Sequence, residues 1–385
     1  MYRLLNIRVI VAGLLLSGLV LSCTRPKSGL MRPGAFAAAS PANASYFIEN
    51  DWVQLENGKA EWQAAPHSAS RIQVAILGET MVSDLNNDRN EDAVIFLTYQ
   101  GGGSGTFYYL GAALSENGKY TGLNSILLGD RIGPPTAKVQ NGLITVEYLD
   151  RSPDEPMVSA PGVLQTRFFI LNDTSLQEIK PAGDEEVYQG WLTIGHEVRS
   201  FLPCGERKDL WLLGKSPGLA AILAVHRETM SGFPPYTPVF AILSGRKTAP
   251  FAEGFGTEHK QAFFASQLVM LWPQGNCRSD FILLDSPLPG AYLSSPLTVK
   301  GRARGTWFFE GDFPLLLLDA QGKNIAASYA TAQGEWMTEN FVEFEGTIDF
   351  KGTFSTQRGI LVLKKDNPTG LTRFDDALEI PIYFK

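Results

Sequence analysis

Cysteine and histidine are scarce, with three and four copies in 385 residues. Two thiols remain beyond Cys23, with no histidine pair beside them, too few ligands for a structural zinc site, which usually takes four. No block of lysine and arginine is present to neutralise a phosphate backbone, and the formal net charge is −7. Nucleic acid is therefore not expected as a partner. After the first two dozen residues no run approaches the roughly 18 apolar residues of a membrane-crossing helix. A βαβ rhythm is also missing, which argues against a parallel, doubly wound sheet. The glycine-rich stretch 101–105 lacks the lysine of a phosphate-binding loop and reads as a turn. What is present is ordinary for globular domains: 44% apolar and 19% charged residues, with 38 glycines and 23 prolines to join short strands. The length favours two or three domains.

Residues 1–23 carry the most specific pattern. Arg3 and Arg8 make a positive start, residues 9–21 form an apolar run too short to span a bilayer, and Val20-Leu21-Ser22-Cys23 follows. This ending resembles the lipobox of bacterial lipoproteins. The resemblance implies cleavage before Cys23, a diacylglycerol on its thiol and acyl groups such as palmitate. The expected result is a protein lipid-anchored to a membrane of the cell envelope, facing the periplasm or exterior. An ordinary signal peptide, with Cys23 incidental, is the alternative. Residues 24–44, rich in Ala, Ser, Pro and Gly, read as a flexible tether.

Residues 45–182 alternate short apolar runs with turns. Strands are expected at 71–77, 93–97, 106–114, 125–128, 143–149 and 165–171. Asn57-Gly58, Asn117-Gly118 and Asn141-Gly142 have the chemistry of tight hairpin turns. An antiparallel, β-rich domain with an acidic loop is expected here. Residues 183–284 contain strand patterns at 187–193, 210–213 and 236–243, and one helix-compatible stretch at 219–230. The phrase from His196 to Gly205, the Pro-Tyr-Thr-Pro-Val run at 235–239 and Gly275-Asn276-Cys277 resemble the OB-like barrel of NlpE-type envelope lipoproteins. That implies a small five-stranded barrel.

Residues 285–385 show about seven strand patterns separated by turns, as a sandwich requires, with Trp307 and Trp336 able to fill the space between sheets. The phrases at 295–303, 306–311, 334–337 and 361–368, and a last strand at 378–384, resemble the immunoglobulin-like domain of bacterial spore germination. The resemblance implies extracytoplasmic placement and a binding or structural role. The fold class expected for the whole chain is mostly β and multidomain.

Three sets of residues could carry chemistry. Cys204 and Cys277 stand at the two ends of one module in a compartment that permits disulfides, and a bridge between them is expected, with two buried free thiols as the alternative. Asp84, Asn86, Asp88, Asn90 and Asp92 place oxygens at alternate positions, which suits Ca²⁺ and resembles the loops of dockerin and FG-GAP repeats. Arg89 stands where those loops have glycine, and an Asx-rich turn is the other reading. Gly214-Lys215-Ser216-Pro217-Gly218 has the spacing of a hydrolase elbow without the parallel sheet that holds one. His67, His196, His226 and His259 share no motif. Trp191, Trp211, Tyr236 and Phe240 either line a groove for sugars or peptides or pack a core.

These features describe a non-catalytic envelope lipoprotein whose modules bind or scaffold an envelope protein or glycan. No catalytic residue and no certain cofactor are expected, with Ca²⁺ as the candidate ion. The alternatives are an envelope-stress sensor of NlpE type and a cell-wall-processing hydrolase.

Overall fold

Period-two alternation of side chains gives strand after strand. The protein is described from a computed structural model over residues 9–10, 38–86, 88, 90–214, 216–249, 259–351 and 357–385. Among the described residues there are many strands and one α-helix. The chain divides into two compact units at Lys180/Pro181. No helix of the described residues is long and apolar enough to cross a membrane. The second unit also takes β1 (Val9–Ile10), a two-residue pairing with Leu271 and Met270.

In the first unit β2 (Ser45–Ile48) and β3 (Asp51–Gln54) form a hairpin. A curled antiparallel sheet follows: β4 (Lys59–Gln63), β5 (Arg71–Ser83), β6 (Asp92–Gln100), β7 (Phe107–Glu116) and β8 (Lys119–Gly122), with β9 (Ile126–Asp130) also on β7. The meander β10 (Thr136–Gln140), β11 (Leu143–Asp150), β12 (Val163–Asn172) and β13 (Ser175–Ile179) makes a second sheet. All three Asn-Gly pairs have positive φ at both residues, between 52° and 80°. This is the left-handed geometry that tight hairpins need.

Strand β6 is apolar without interruption from Ala93 to Leu97 because both of its faces are covered. Val94 and Phe96 pack with Ile144, Val146 and Phe169 of the meander. Ala93, Ile95 and Leu97 pack with Tyr46, Ile48 and Val53 of the hairpin.

The second unit begins with a barrel. Its elements are β14 (Glu186–Ile194), β15 (Arg199–Pro203), β16 (Leu210–Leu212), α1 (Leu219–Thr229), β17 (Val239–Thr248) and β18 (Ala262–Trp272). β14, β15 and β16 pair antiparallel in sequence, β16 pairs parallel with β18, β18 pairs with β17, and β17 returns to β14. The five strands therefore close, with the helix between the third and fourth, as an OB-like barrel. Leu192, Phe201, Leu212, Leu243 and Phe263 fill its interior, and Leu219 and Ile222 of α1 join them. Each such side chain contributes roughly 1.5–3 kcal/mol relative to exposure.

The C-terminal immunoglobulin-like sandwich comprises β19 (Ile282–Ser286), β20 (Tyr292–Leu293), β21 (Leu297–Arg304), β22 (Asp312–Asp319), β23 (Asn324–Ala332), β24 (Phe341–Ile348), β25 (Arg358–Lys364) and β26 (Ala377–Phe384). β23 pairs with β22 and, at Ala330–Ala332, with β24, which joins the two halves. Alternation is clean: Leu297, Val299 and Ala303 point inward while Lys300 and Arg302 stand opposite Glu345 and Glu343.

One expectation is corrected here. Trp307 is fully buried, but Trp336 lies in the turn after β23, only half-buried, its indole nitrogen 3.3 Å from where a Cβ on Gly311 would be. Trp307 alone of the pair therefore fills the core.

Candidate functional site

The barrel strands β14 and β15 send alternate side chains outward, and cross-strand pairs form there. Trp191 stands opposite Leu202, and Thr193 opposite Ser200. These four residues make one wall of a cavity of about 360 Å³. The facing wall comes from β25 and β26, through Ile360, Pro381, Ile382 and Tyr383.

Three arginine–carboxylate pairs run from barrel to sandwich around this space. Arg207 Nη2 lies 3.0 Å from Glu379 Oε1, Arg278 Nε 2.5 Å from Asp376 Oδ1, and Arg358 Nη1 3.5 Å from Asp209 Oδ1. Asp209 also faces His259 Nε2 at 3.4 Å, and Glu206 holds Lys247 Nζ at 2.5 Å. Half-exposed pairs of this kind contribute about 0–1 kcal/mol each, so they orient groups more than they stabilise the fold.

The Cys204–Cys277 disulfide is formed and lines the same cavity, with Cα atoms 5.7 Å apart. It ties the turn after β15 to the segment that leaves β18. Of the four aromatics noted in the sequence, Trp191 lines the cavity. Trp211 and Phe240 are buried, Phe240 between Trp191 and Trp272.

Sequence reasoning did not single out Arg207, Asp209, Arg278, Arg358 or Glu379. Arg207 and Glu379 are 172 positions apart, and neither sits in a motif. No signal in a single sequence pairs them.

In the acidic loop the described side-chain oxygens of Asp84, Asn86, Asp88 and Asp92 accept backbone N–H groups. Asp92, the first residue of β6, is fully buried, and its carboxylate accepts from Leu85 N–H at 2.9 Å and Ser115 N–H at 2.8 Å. Asp88 N–H donates to Asp84 Oδ1 and Asn86 Oδ1, and Asn90 N–H donates to Asp88 Oδ1. The bonds from Asn86 and Asp88, each to the N–H two residues on, are Asx turns. Among the described residues no group of three acidic, histidine or cysteine side chains is placed to hold a metal. Arg89 and Cys23 lie outside the described residues.

Burial pushes the Asp92 carboxyl from its ordinary 3.8 up to about 6; the two backbone bonds oppose this, and the nearby Asp88 and Asp84 charges add to it. A carboxyl raised on folding adds stability that is full below pH 4 and lost as pH rises through about 6. The displacement is worth roughly 3 kcal/mol. Asp92→Asn should abolish that dependence. It should also cost about 1–3 kcal/mol at low pH, because an amide accepts through one oxygen and leaves one buried N–H unpaired. Thermal melts of the two proteins from pH 4 to 7 check this, and parallel curves would contradict it.

Ser216 is buried, and its hydroxyl accepts from Ala265 N–H at 3.3 Å just before α1. Lys215 of the same pentapeptide lies outside the described residues. His67 and His196 are exposed. His226 is half-buried on α1, where burial lowers its pKa.

Fold and site together define a multidomain, mostly β protein with a ligand-sized cavity between a barrel and a sandwich. Residues 281–370 match the family model described as the immunoglobulin-like domain of bacterial spore germination. No curated protein matches the chain.

Proposed function

We propose that the protein is a lipid-anchored, non-catalytic envelope component that binds another envelope molecule. One observation carries the binding part: a cavity with apolar walls whose rim charges are held in arginine–carboxylate pairs. Groups tied in this way orient a ligand, whereas an acid–base catalyst needs a group poised to exchange a proton. The C-terminal family match supports a binding or structural role. The anchor rests on Arg3, Arg8, the apolar run and Cys23. Cleavage before Cys23 removes β1, and the barrel pairings from β14 to β18 close without it. Several acyl chains would hold the protein stably at the membrane where one would not.

Cys23→Ala is expected to abolish incorporation of labelled fatty acid and to shift the protein out of the membrane fraction. Label that persists in this variant removes the anchor. Crosslinking in native envelopes, followed by capture of the full chain, is expected to recover a defined partner, and hydrolysis of cell-wall material by the pure protein would overturn the non-catalytic reading.

A further inference from the structure

The cavity between barrel and sandwich allows a sharper statement, which rests on the binding role proposed above and names the ligand's chemistry. Its volume, about 360 Å³, falls in the roughly 300–1,000 Å³ range of small-ligand sites. Leu202, Ile360 and Pro381 supply apolar surface. Arg207, Arg278 and Arg358 are matched around it by Glu206, Asp209 and Glu379. An anion or a cation alone would meet like charges as often as opposite ones. A ligand carrying both signs fits such a rim.

Sugars are disfavoured by the aromatic geometry. Trp191 is only 4% exposed and edge-on to Phe240, with centroids 6.3 Å apart, and Tyr383 gives a face to Tyr292 at 5.2 Å. A sugar ring needs an open aromatic face, whereas Trp191 is buried and one face of Tyr383 is taken by Tyr292. Arg207 is half exposed, and its ion pair at 3.0 Å occupies one of five N–H donors. Asp209 holds its partners loosely, at 3.4 and 3.5 Å, and can accept an ammonium.

We propose that the cavity binds a short zwitterionic peptide. Its carboxylate lies on Arg207, its amino terminus faces Asp209, and an apolar side chain packs on Leu202, Ile360 and Pro381. A dipeptide, at most about 7 Å long, suits two rim groups that stand two residues apart in the chain.

The test is titration calorimetry of the full chain in detergent with alanyl-leucine, N-acetyl-alanyl-leucine and alanyl-leucinamide. The free dipeptide is expected to bind one to one, and each cap to weaken it at least tenfold. Arg207→Ala, at an exposed position, should weaken the free dipeptide tenfold and leave the amide unchanged. Ala377→Trp, which fills the cavity, should abolish binding, and a retained melting temperature shows that each variant is folded. Equal affinity for capped and free dipeptides, or no binding of the free dipeptide at millimolar concentration, overturns the proposal. Should crosslinking still capture a partner and Cys23 still carry lipid, the ligand class alone has failed and the binding role stands.

Discussion

Trp307→Ala is expected to destabilise the second unit by about 3–5 kcal/mol, as for other fully buried aromatic truncations. Trp307 is 1% exposed and ends a 3-10 turn that begins at Gly305. That turn is held closely: a Cβ on Gly305 would fall 2.0 Å from Thr338 O and 2.2 Å from Trp336 O. The neighbourhood cannot collapse easily into the space left by the indole, so a cavity remains and its cost is added to the lost transfer energy. Among the described residues the indole N–H has no hydrogen-bond partner, which makes the effect one of packing. Trp307→Phe should therefore cost far less, since it keeps a ring and removes a buried unpaired donor. Urea unfolding of the two variants separates these cases. A loss under about 1 kcal/mol for the alanine variant would show that the site is not the packed centre described here.

Removing the disulfide should have an effect of similar size. Cys204 and Cys277 are 73 positions apart, and closing a loop of that length restricts the unfolded chain by about 4 kcal/mol in the entropy model. The double variant Cys204→Ser, Cys277→Ser is expected to unfold at lower denaturant by that amount and to ignore reductant. Wild type should fall to nearly the same midpoint when dithiothreitol is added. Both cysteines also line the cavity, so ligand binding by the variant should weaken even where the barrel remains folded. A wild-type midpoint that does not move in reductant, with thiols shown to be free, would refute the stabilising role.

Much of the architecture follows from patterns a few residues long. The period-two runs of β21, β24 and β26, the Asn-Gly turns and the helix-compatible stretch at 219–230 are local signals. A strand or turn takes its conformation largely from its own side chains and those next to it. The pairing of Cys204 with Cys277 was legible too, because two cysteines in one module leave one intramolecular pairing.

The acidic loop shows where that reasoning stops. Its five oxygen-bearing residues fit a calcium loop or a series of Asx turns, with Arg89 in the glycine position weighing toward the turns. The structure turns Asp92 inward, where backbone N–H groups of Leu85 and Ser115 take both carboxylate oxygens.

The amino-acid sequence by itself determined the mostly β class, the immunoglobulin-like C-terminal domain and the cysteines that pair. Tertiary structure decided which strands meet: the parallel contact of β16 with β18 that closes the barrel, the two covered faces of β6, and the meeting of Arg207 with Glu379 across 172 positions. Periodicity records which face of a strand is buried, but it carries no record of the partner that buries it. Charged groups brought together by distant strands leave no spacing to read, and the cavity they surround exists only once the chain has folded.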